Sequence, residues 1–446
     1  MPPSAGAGAD DEVRATVCAV WRIESARLIG ALTRRVRDLG VAEQLAQDAL
    51  VAALEHWPRE GVPDNPAAWL MATARNLALD HLRRQQVRAA QESALSHALD
   101  LRHAIAAQAQ AQAVDDALDD TVGDDLLRLI FTACHPVLSA QARVALALRV
   151  LGGLGTDEIA RSFLVPEATI AQRIVRAKRS LAEARVPFEV PPAGELPQRL
   201  GAVLEVIYLV FNEGYAATSG GDWMRPALCE EAMRLGRVLA RLMPHEPEVH
   251  GLAALMELQA SRNAARVGPG GEPVLLLAQV RLRWDRLLIG RGLAALANAE
   301  KLAAGRGQAL GPYALQAAIA GCHARAADAS ATDWPRIVAL YDALVEVTGS
   351  PVVELNRAVA VSMAFGASTA LPLVEALADE PALRHYHLLP AVRADLLARL
   401  GRLDEAAAEF ERAAALTRNE RERQVLAARA HQCRPPGADR GPAALH

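Results

Sequence analysis

Apolar residues recur every three or four positions along most of this chain, and that spacing constrains its fold more than any other feature. The stretches VAEQLAQDALVAALEHW and NPAAWLMATARNLALDHLRRQ both follow it, as amphipathic α-helices do. Aromatic residues make up 4% of the chain against 52% for all hydrophobic types, so Ala and Leu supply most of the apolar surface. This composition favours helices packed on helices, and we predict an all-α fold.

Prolines and charge divide the 446 residues into segments, and a chain of this length is expected to form several domains of roughly 100–200 residues. The loop PREGVPDNP holds three prolines and VPFEVPPAGELP holds four, so both should interrupt helices. Residues 87–124 carry two arginines against seven acidic side chains, which is typical of a linker with some helix. The tail CRPPGADRGPAALH has no periodicity, which predicts disorder.

The stretch TDEIARSFLVPEATIAQRIVRAKRSL, residues 156–181, is typical of a helix-turn-helix. Thr156 and the two acids after it favour the start of the first helix. Pro166 suits the first position of the second helix, where its missing N–H costs nothing. On a helical wheel, a stripe of the second helix should face the core, formed by Ile170, Ile174, Ala177 and Leu181.

The other faces of that second helix carry candidate DNA contacts. Residues 168–181 hold four cations and no acid, a charge that phosphates would neutralise. In a helix-turn-helix the N-terminal part of the second helix meets base edges in the major groove, which favours Thr169, Gln172, Arg173 and Arg176. Lys178 and Arg179 are better suited to phosphates. The alternative is a basic surface helix that only balances acidic neighbours, in a chain whose net charge is −4.

A repeat of about 34 residues runs through the C-terminal part. Aligning WPRIVALYDAL, STALPLVEALAD and LDEAAAEFERAAAL puts equivalent residues 34 and 35 positions apart, namely Ile337, Leu371 and Ala406, and likewise Tyr341, Glu375 and Phe410. This spacing resembles that of tetratricopeptide repeats, which are helix-turn-helix units. Because Glu375 stands where an aromatic residue is usual, a generic antiparallel helical array remains the alternative.

No motif points to catalysis, a metal or a cofactor. The stretch FNEGY, residues 211–215, combines an acid, an amide and two aromatics, yet nothing near it completes a nucleophile and base. We interpret it as a buried turn in which Asn212 and Glu213 bond to the backbone and Gly214 allows a close approach. The histidines at 245 and 250, and at 385 and 387, lack metal-site spacing. The sequence therefore predicts a protein that is not an enzyme and holds neither metal nor cofactor.

Cysteine usage and the N-terminus bear on location. The five cysteines show no C-x-x-C spacing, which fits a reducing compartment. The N-terminal stretch MPPSAGAGADDE shows neither the basic n-region nor the apolar h-region of a signal peptide, and the sequence has no uninterrupted apolar run of about 18 residues. We expect a cytoplasmic protein with no membrane contact.

The chain resembles a sigma-70 family RNA polymerase sigma factor of the extracytoplasmic-function group in its regions 2 and 4. Three stretches taken together carry this resemblance: AEQLAQDAL, AAWLMATARNLALDHLRR and the helix-turn-helix. Beyond residue 190 the chain resembles the subgroup of these sigma factors with a C-terminal tetratricopeptide-containing extension. The stretches that carry this resemblance are VIYLVFNEGYAATSG, EPEVHGLAALMELQASR, WDRLLIGRGLAAL and the repeats. The resemblance implies a region 2 helical bundle at 10–86, an acidic linker at 87–124, a region 4 helix-turn-helix domain at 125–187, a helical extension at 195–304, a tetratricopeptide-like array at 305–432 and a disordered tail at 433–446.

The resemblance also implies contact residues. The helix from Val41 to His56 would bind the clamp of core RNA polymerase through Gln44, Gln47 and Asp48, although Gln44 departs from the family, where an acid is usual. The PREGVPDNP loop and the following helix would read the −10 element through Asn65, Asn76, Asp80, Arg83 and Arg84, the two arginines on phosphates. From the residues alone, capping or bracing of neighbouring helices explains Asn76 and Asp80 at least as well.

The predicted function is therefore that of a transcription initiation sigma factor. It would bring core RNA polymerase to promoter DNA, with region 2 at the −10 element and region 4 at the −35 element. The C-terminal extension would regulate activity or dock an unknown protein or ligand. Two alternatives stay open, a helix-turn-helix repressor with a helical sensing domain and a tetratricopeptide scaffold.

Overall fold

The computed structural model describes residues 5–94, 122–163, 165–215, 224–268, 274–417 and 419–434. Within these ranges the chain forms α-helices and short 3-10 turns with no β-strand, which confirms the all-α prediction. The chain falls into two compact units, Met1–Leu209 and Val210–His446. None of the described helices is long and apolar enough to cross a membrane.

The N-terminal unit begins with two groups of helices. The first group is α1 (Ala5–Val36), α2 (Leu39–Glu60) and α3 (Pro66–Ala94), and the second is α4 (Val122–Ala133), α5 (Ala140–Val150), α6 (Thr156–Phe163) and α7 (Glu167–Glu183). The first three helices pack on one another around fully buried side chains that include Leu28, Ile29, Leu32, Trp57 and Leu70. Helix α7 packs on α5 and α6.

The break between α2 and α3 is shorter than the prolines predicted. Helix α2 continues through Pro58 and ends only at Gly61, whose positive φ of 87° is accessible to glycine. The helix tolerates Pro58 because that residue lies in the last turn, and the N–H of Gly61 still bonds the carbonyl of Trp57 at 3.0 Å. Helix α3 likewise runs on to Ala94, inside the segment expected to be a linker. Most of that linker, residues 95–121, lies outside the described residues.

Helix α8 (Leu196–Tyr215) runs across the boundary between the units. The C-terminal unit continues with α9 (Pro226–Leu242), α10 (Pro247–Ala260), α11 (Arg286–Gly305), α12 (Pro312–Arg325), α13 (Trp334–Thr348), α14 (Pro351–Phe365), α15 (Ala367–Glu375), α16 (Leu388–Arg399), α17 (Leu403–Leu416) and α18 (Glu420–Cys433). From α9 onward each helix packs against the next one in the chain.

The positions that define the repeat lie on alternate helices. Ile337 on α13, Leu371 on α15 and Ala406 on α17 are all buried. These three helices begin 33 and 36 residues apart. Tetratricopeptide units and a generic antiparallel array share these features, so the repeat type stays a prediction. The predicted disordered tail lies outside the described residues from 435 onward.

Candidate nucleic-acid interface

Helix α7 has one fixed orientation in its bundle. Ile170, Ile174, Ala177 and Leu181 are at most 5% exposed, which confirms the predicted core-facing stripe. Pro166 is the N-cap rather than the first helical residue, so the helix begins one residue later than expected. Thr156 is the first residue of α6, and its hydroxyl donates to Glu167 at 3.0 Å instead of capping its own helix. With one stripe buried, the opposite face of α7 is held outward.

The outward face of α7 carries most of the predicted DNA contacts. Gln172, Arg176 and Arg179 are exposed and lie at i, i+4 and i+7, while Thr169 and Arg173 are half-buried. Arg179 forms an exposed salt bridge with Glu183 at 2.6 Å. No described residue forms a salt bridge with Arg173 or Arg176. The two guanidinium groups therefore retain their capacity for external phosphates or bases.

Lys178 is placed differently, because its ammonium group contacts the Oε2 atom of Glu43 on α2. Glu43 is 4% exposed. Its Oε1 atom accepts from Nε of Arg149 on α5 and from Nε2 of Gln47, both at 2.7 Å. We call these four residues the Glu43 cluster. Two cations and an amide compensate a carboxylate that would be costly to bury alone. Sequence reasoning missed Glu43 because its two cationic partners, Arg149 and Lys178, lie far away along the chain.

Further contacts join the first three helices to α4–α7. Asp125 on α4 is 2% exposed and lies 3.1 Å from Arg34 on α1; burial raises the pKa of its carboxyl against the opposing effect of Arg34 and Arg128. Arg22 pairs with Glu158 at 2.9 Å. A Cβ added at Gly153 would lie 2.7 Å from the Oγ atom of Ser25. Together with the Glu43 cluster, these contacts hold the two helix groups against each other in what we call the closed arrangement.

The predicted −10 residues lie on α3 and at its start. Asn76, Asp80, Arg83 and Arg84 are all exposed, and their spacing puts them on one helical face. Asp80 and Arg83 pair at 3.6 Å across that face. Asn65 has a local role, because its Oδ1 atom accepts from the N–H of Ala68 at 3.0 Å and so caps α3. The face can approach a nucleic acid, and base reading by it remains a prediction.

The three predicted polymerase contacts separate into two environments on α2. Gln44 and Asp48 are exposed and one turn apart, so they form a common outward surface. Gln47 is half-buried and donates to Glu43. The helix thus has one face toward the exterior and another that contributes to the Glu43 cluster.

The FNEGY stretch is the end of helix α8 and not the buried turn that the sequence suggested. Glu213 pairs with Arg225. The close approach at Gly214 is confirmed, since an added Cβ would lie 2.6 Å from the backbone nitrogen of Cys229. In the described residues, no group of three or more His, Cys, Asp or Glu side chains could hold a metal ion.

Comparisons with known families and proteins match the two N-terminal helix groups. The Sigma-70 region 2 family matches residues 7–88, and the Sigma-70 region 4 family matches residues 128–181. A family of unknown function, DUF6596, matches residues 199–300. No solved structure matches the chain.

Individual relatives fall into two kinds. The uncharacterized protein R00370 of Rhizobium meliloti is 46% identical over 394 residues, which cover 88% of this chain and 89% of that protein. The probable ECF RNA polymerase sigma factor SigI of Mycobacterium tuberculosis is 31% identical over 179 residues, 40% of this chain and 58% of SigI. The ECF RNA polymerase sigma factor SigC of the same organism is 26% identical over 180 residues, 40% of this chain and 83% of SigC. These matches support a sigma-factor role, and sigma factors are not enzymes.

Proposed function

We propose that this chain is a transcription initiation sigma factor of the extracytoplasmic-function group. The chain belongs to the same family as the R00370 protein and carries sigma-70 regions 2 and 4, and these two findings support the proposal. It binds core RNA polymerase and directs it to a set of promoters. A sigma factor acts where the chromosome and the polymerase are, so we propose a cytoplasmic location.

The orientation of α7 is the observation that carries the −35 part of the proposal. Its buried stripe leaves Thr169, Gln172, Arg173 and Arg176 along the side that would enter a major groove. Arg179 follows on the same side for phosphate contact, and Lys178 joins it once its ammonium group leaves Glu43. Arginine can bond the O6 and N7 acceptors of guanine in a bidentate manner, so a G-containing −35 element is expected.

Region 2 supplies the −10 and polymerase contacts of the proposal. The exposed α3 face of Asn76, Asp80, Arg83 and Arg84 meets the melted −10 strand, with Asn65 at the start of that helix. Gln44 and Asp48 bind the polymerase clamp from the outward face of α2. Gln47 joins them only when its amide leaves Glu43.

The C-terminal extension is proposed to be a tetratricopeptide-like regulator or docking surface. Sequential helix packing and the buried repeat positions on α13, α15 and α17 support this assignment. A chain truncated after Arg185 tests it: unaltered transcription by the truncated chain would contradict a regulatory extension.

Run-off transcription tests the proposed function directly. Purified core RNA polymerase, this protein and a DNA library are combined, and transcript start sites are read by sequencing. We expect discrete starts that disappear in Arg173→Ala/Arg176→Ala. The matched control is Arg241→Ala/Arg384→Ala, which removes two exposed charges from the extension and should leave the starts in place.

The other outcomes separate the alternatives. Sequence-specific DNA binding without any transcript start would favour the helix-turn-helix repressor. Absence of both DNA and polymerase binding would favour the scaffold. Starts that survive in Arg173→Ala/Arg176→Ala would refute the role given to α7.

A further inference from the structure

Guanidinium groups and aromatic rings alternate in a row within the C-terminal unit. The Cζ atoms of Arg266 and Arg262 lie 3.5 Å and 5.8 Å from the ring centroid of Tyr215. The Cζ atoms of Arg262 and Arg281 lie 5.8 Å and 4.8 Å from the ring centroid of Trp284. The order is therefore Arg266, Tyr215, Arg262, Trp284 and Arg281, which we call the arginine–aromatic row. It joins the end of α8 to the connection between α10 and α11.

The far end of the row buries positive charge. Arg281 is 7% exposed and donates to the carbonyl oxygens of His323 and Ala326 and, at 3.0 Å, to Oγ1 of Thr332. Burial lowers the pKa of Arg281, and the charge of Arg262 adds to this effect, while the exposed Asp328 opposes it. Because two like charges repel more strongly where water is scarce, this end of the row favours a negative group beside it.

Two buried nitrogen atoms at the same end have no hydrogen-bond partner among the described residues. They are Nε1 of Trp284 and Nδ1 of His323, in side chains only 3% and 8% exposed. An indole N–H can only donate, so its partner must be an acceptor. Burial, Arg262 and Arg281 lower the pKa of His323 to about 4, so this imidazole adds no positive charge at neutral pH. An acceptor that also bears negative charge satisfies the indole N–H, the guanidinium groups and, in its Nδ1–H tautomer, the imidazole.

We propose that Arg262, Trp284, Arg281 and His323 form a binding site for a compact oxyanion, the phosphate or carboxylate group of a small ligand. Planar guanidinium groups suit both because their N–H groups match the oxygen spacing of either anion. The site lies within the C-terminal unit, so the proposal does not depend on sigma activity. It gives the extension a ligand to which it can respond.

Isothermal titration calorimetry on the full chain tests this site at constant ionic strength. The probes are inorganic phosphate and succinate, which distinguish a phosphate from a carboxylate ligand. We expect one-to-one binding of at least one probe with a dissociation constant of about 1 mM or tighter. Trp284→Phe keeps the ring and removes the N–H, and it should weaken binding about tenfold, as should Arg262→Gln.

Matched variants control for charge and for the indole. Arg286→Gln removes an exposed arginine of the same unit and should leave binding unchanged. Trp57→Phe removes another buried indole N–H that has no partner among the described residues. Trp57 packs against Trp69 in the N-terminal unit, so this variant should also leave anion binding unchanged. Absence of binding by the wild type would overturn the proposal. The proposal would also fail if Arg286→Gln weakened binding as much as Arg262→Gln, or if Trp57→Phe weakened it as much as Trp284→Phe.

Discussion

Removing the charge of Glu43 should both weaken the N-terminal unit and strengthen its electrostatic attraction to DNA. Glu43→Gln preserves the size of the side chain and one oxygen acceptor. It removes the negative charge that Arg149 and Lys178 share at the contact between α2, α5 and α7. The two helix groups then lose a buried ionic contact.

The loss of stability follows from the contacts of the carboxylate. A hydrogen bond to a charged group contributes about 1.5–3 kcal/mol and a neutral one about 0.5–1.5 kcal/mol. The three contacts of the Glu43 carboxylate lose its negative charge, yet the side chains of Arg149 and Lys178 are 22% and 23% exposed and regain water. We therefore expect unfolding free energy to fall by about 1–2 kcal/mol, measured by urea denaturation.

The gain in DNA binding has its own magnitude. A freed Lys178 can neutralise one more phosphate, which steepens the dependence of log affinity on log salt by about 0.9. Fluorescence anisotropy with a non-specific duplex over a salt series measures this slope. Glu55→Gln is the matched control, because Glu55 is an exposed residue of the same helix. In Glu43→Gln/Lys178→Gln the slope should return to its original value.

One result would refute this reasoning. If Glu43→Gln and Glu55→Gln give the same salt slope and the same unfolding free energy, the Glu43 cluster neither stabilises the closed arrangement nor withholds Lys178 from DNA.

Three further predictions concern other parts of the chain. Among the five cysteines only Cys18 is exposed, and burial raises the pKa of the Cys134 thiol to about 12. The native protein should therefore react with one equivalent of a thiol reagent at pH 8, and the Cys18→Ser variant should react with none. Folding lowers the pKa of His323 from 6.5 to about 4, so between these two pH values the unfolded chain binds a proton that the folded chain does not. The free energy of unfolding should therefore decline as pH falls from 6.5 to about 4, by up to about 3 kcal/mol. In acid denaturation, His323→Gln should lack this decline. Gly214→Ala should lower the free energy of unfolding by about 1–3 kcal/mol, measured by thermal unfolding, because the new Cβ would lie 2.6 Å from the backbone of α9. Gly201→Ala on the same helix places its Cβ in open space, so it should be neutral or stabilising.

The features that sequence reasoning predicted correctly are local ones. The stripe from Ile170 to Leu181 follows from a single helical period, and the close approach at Gly214 follows from the absence of a side chain. The repeat spacing identified Ile337, Leu371 and Ala406 as equivalent core positions before their burial was known.

The features that it missed depend on partners distant in the chain. Glu43 and Lys178 are 135 residues apart, and nothing in either neighbourhood indicates that one neutralises the other. Asp125 ends an acidic stretch that is typical of solvated linkers, and only the approach of Arg34 accounts for its burial. The arginine–aromatic row likewise brings the end of α8 to the connection between α10 and α11, and its order in space has no counterpart in sequence spacing.

The scarcity of lysine gives the Glu43 cluster an experimental consequence. Lys178 and Lys301 are the chain's two lysines; the first is partly enclosed by its ion pair and the second is exposed. The rate at which an amine-specific label modifies Nζ of Lys178 should therefore report whether the Glu43 cluster is intact. Labelling of the exposed Lys301 serves as an internal reference for the reagent concentration. The labelling ratio of the two peptides would follow the opening of the closed arrangement in cell extracts, without any engineered probe.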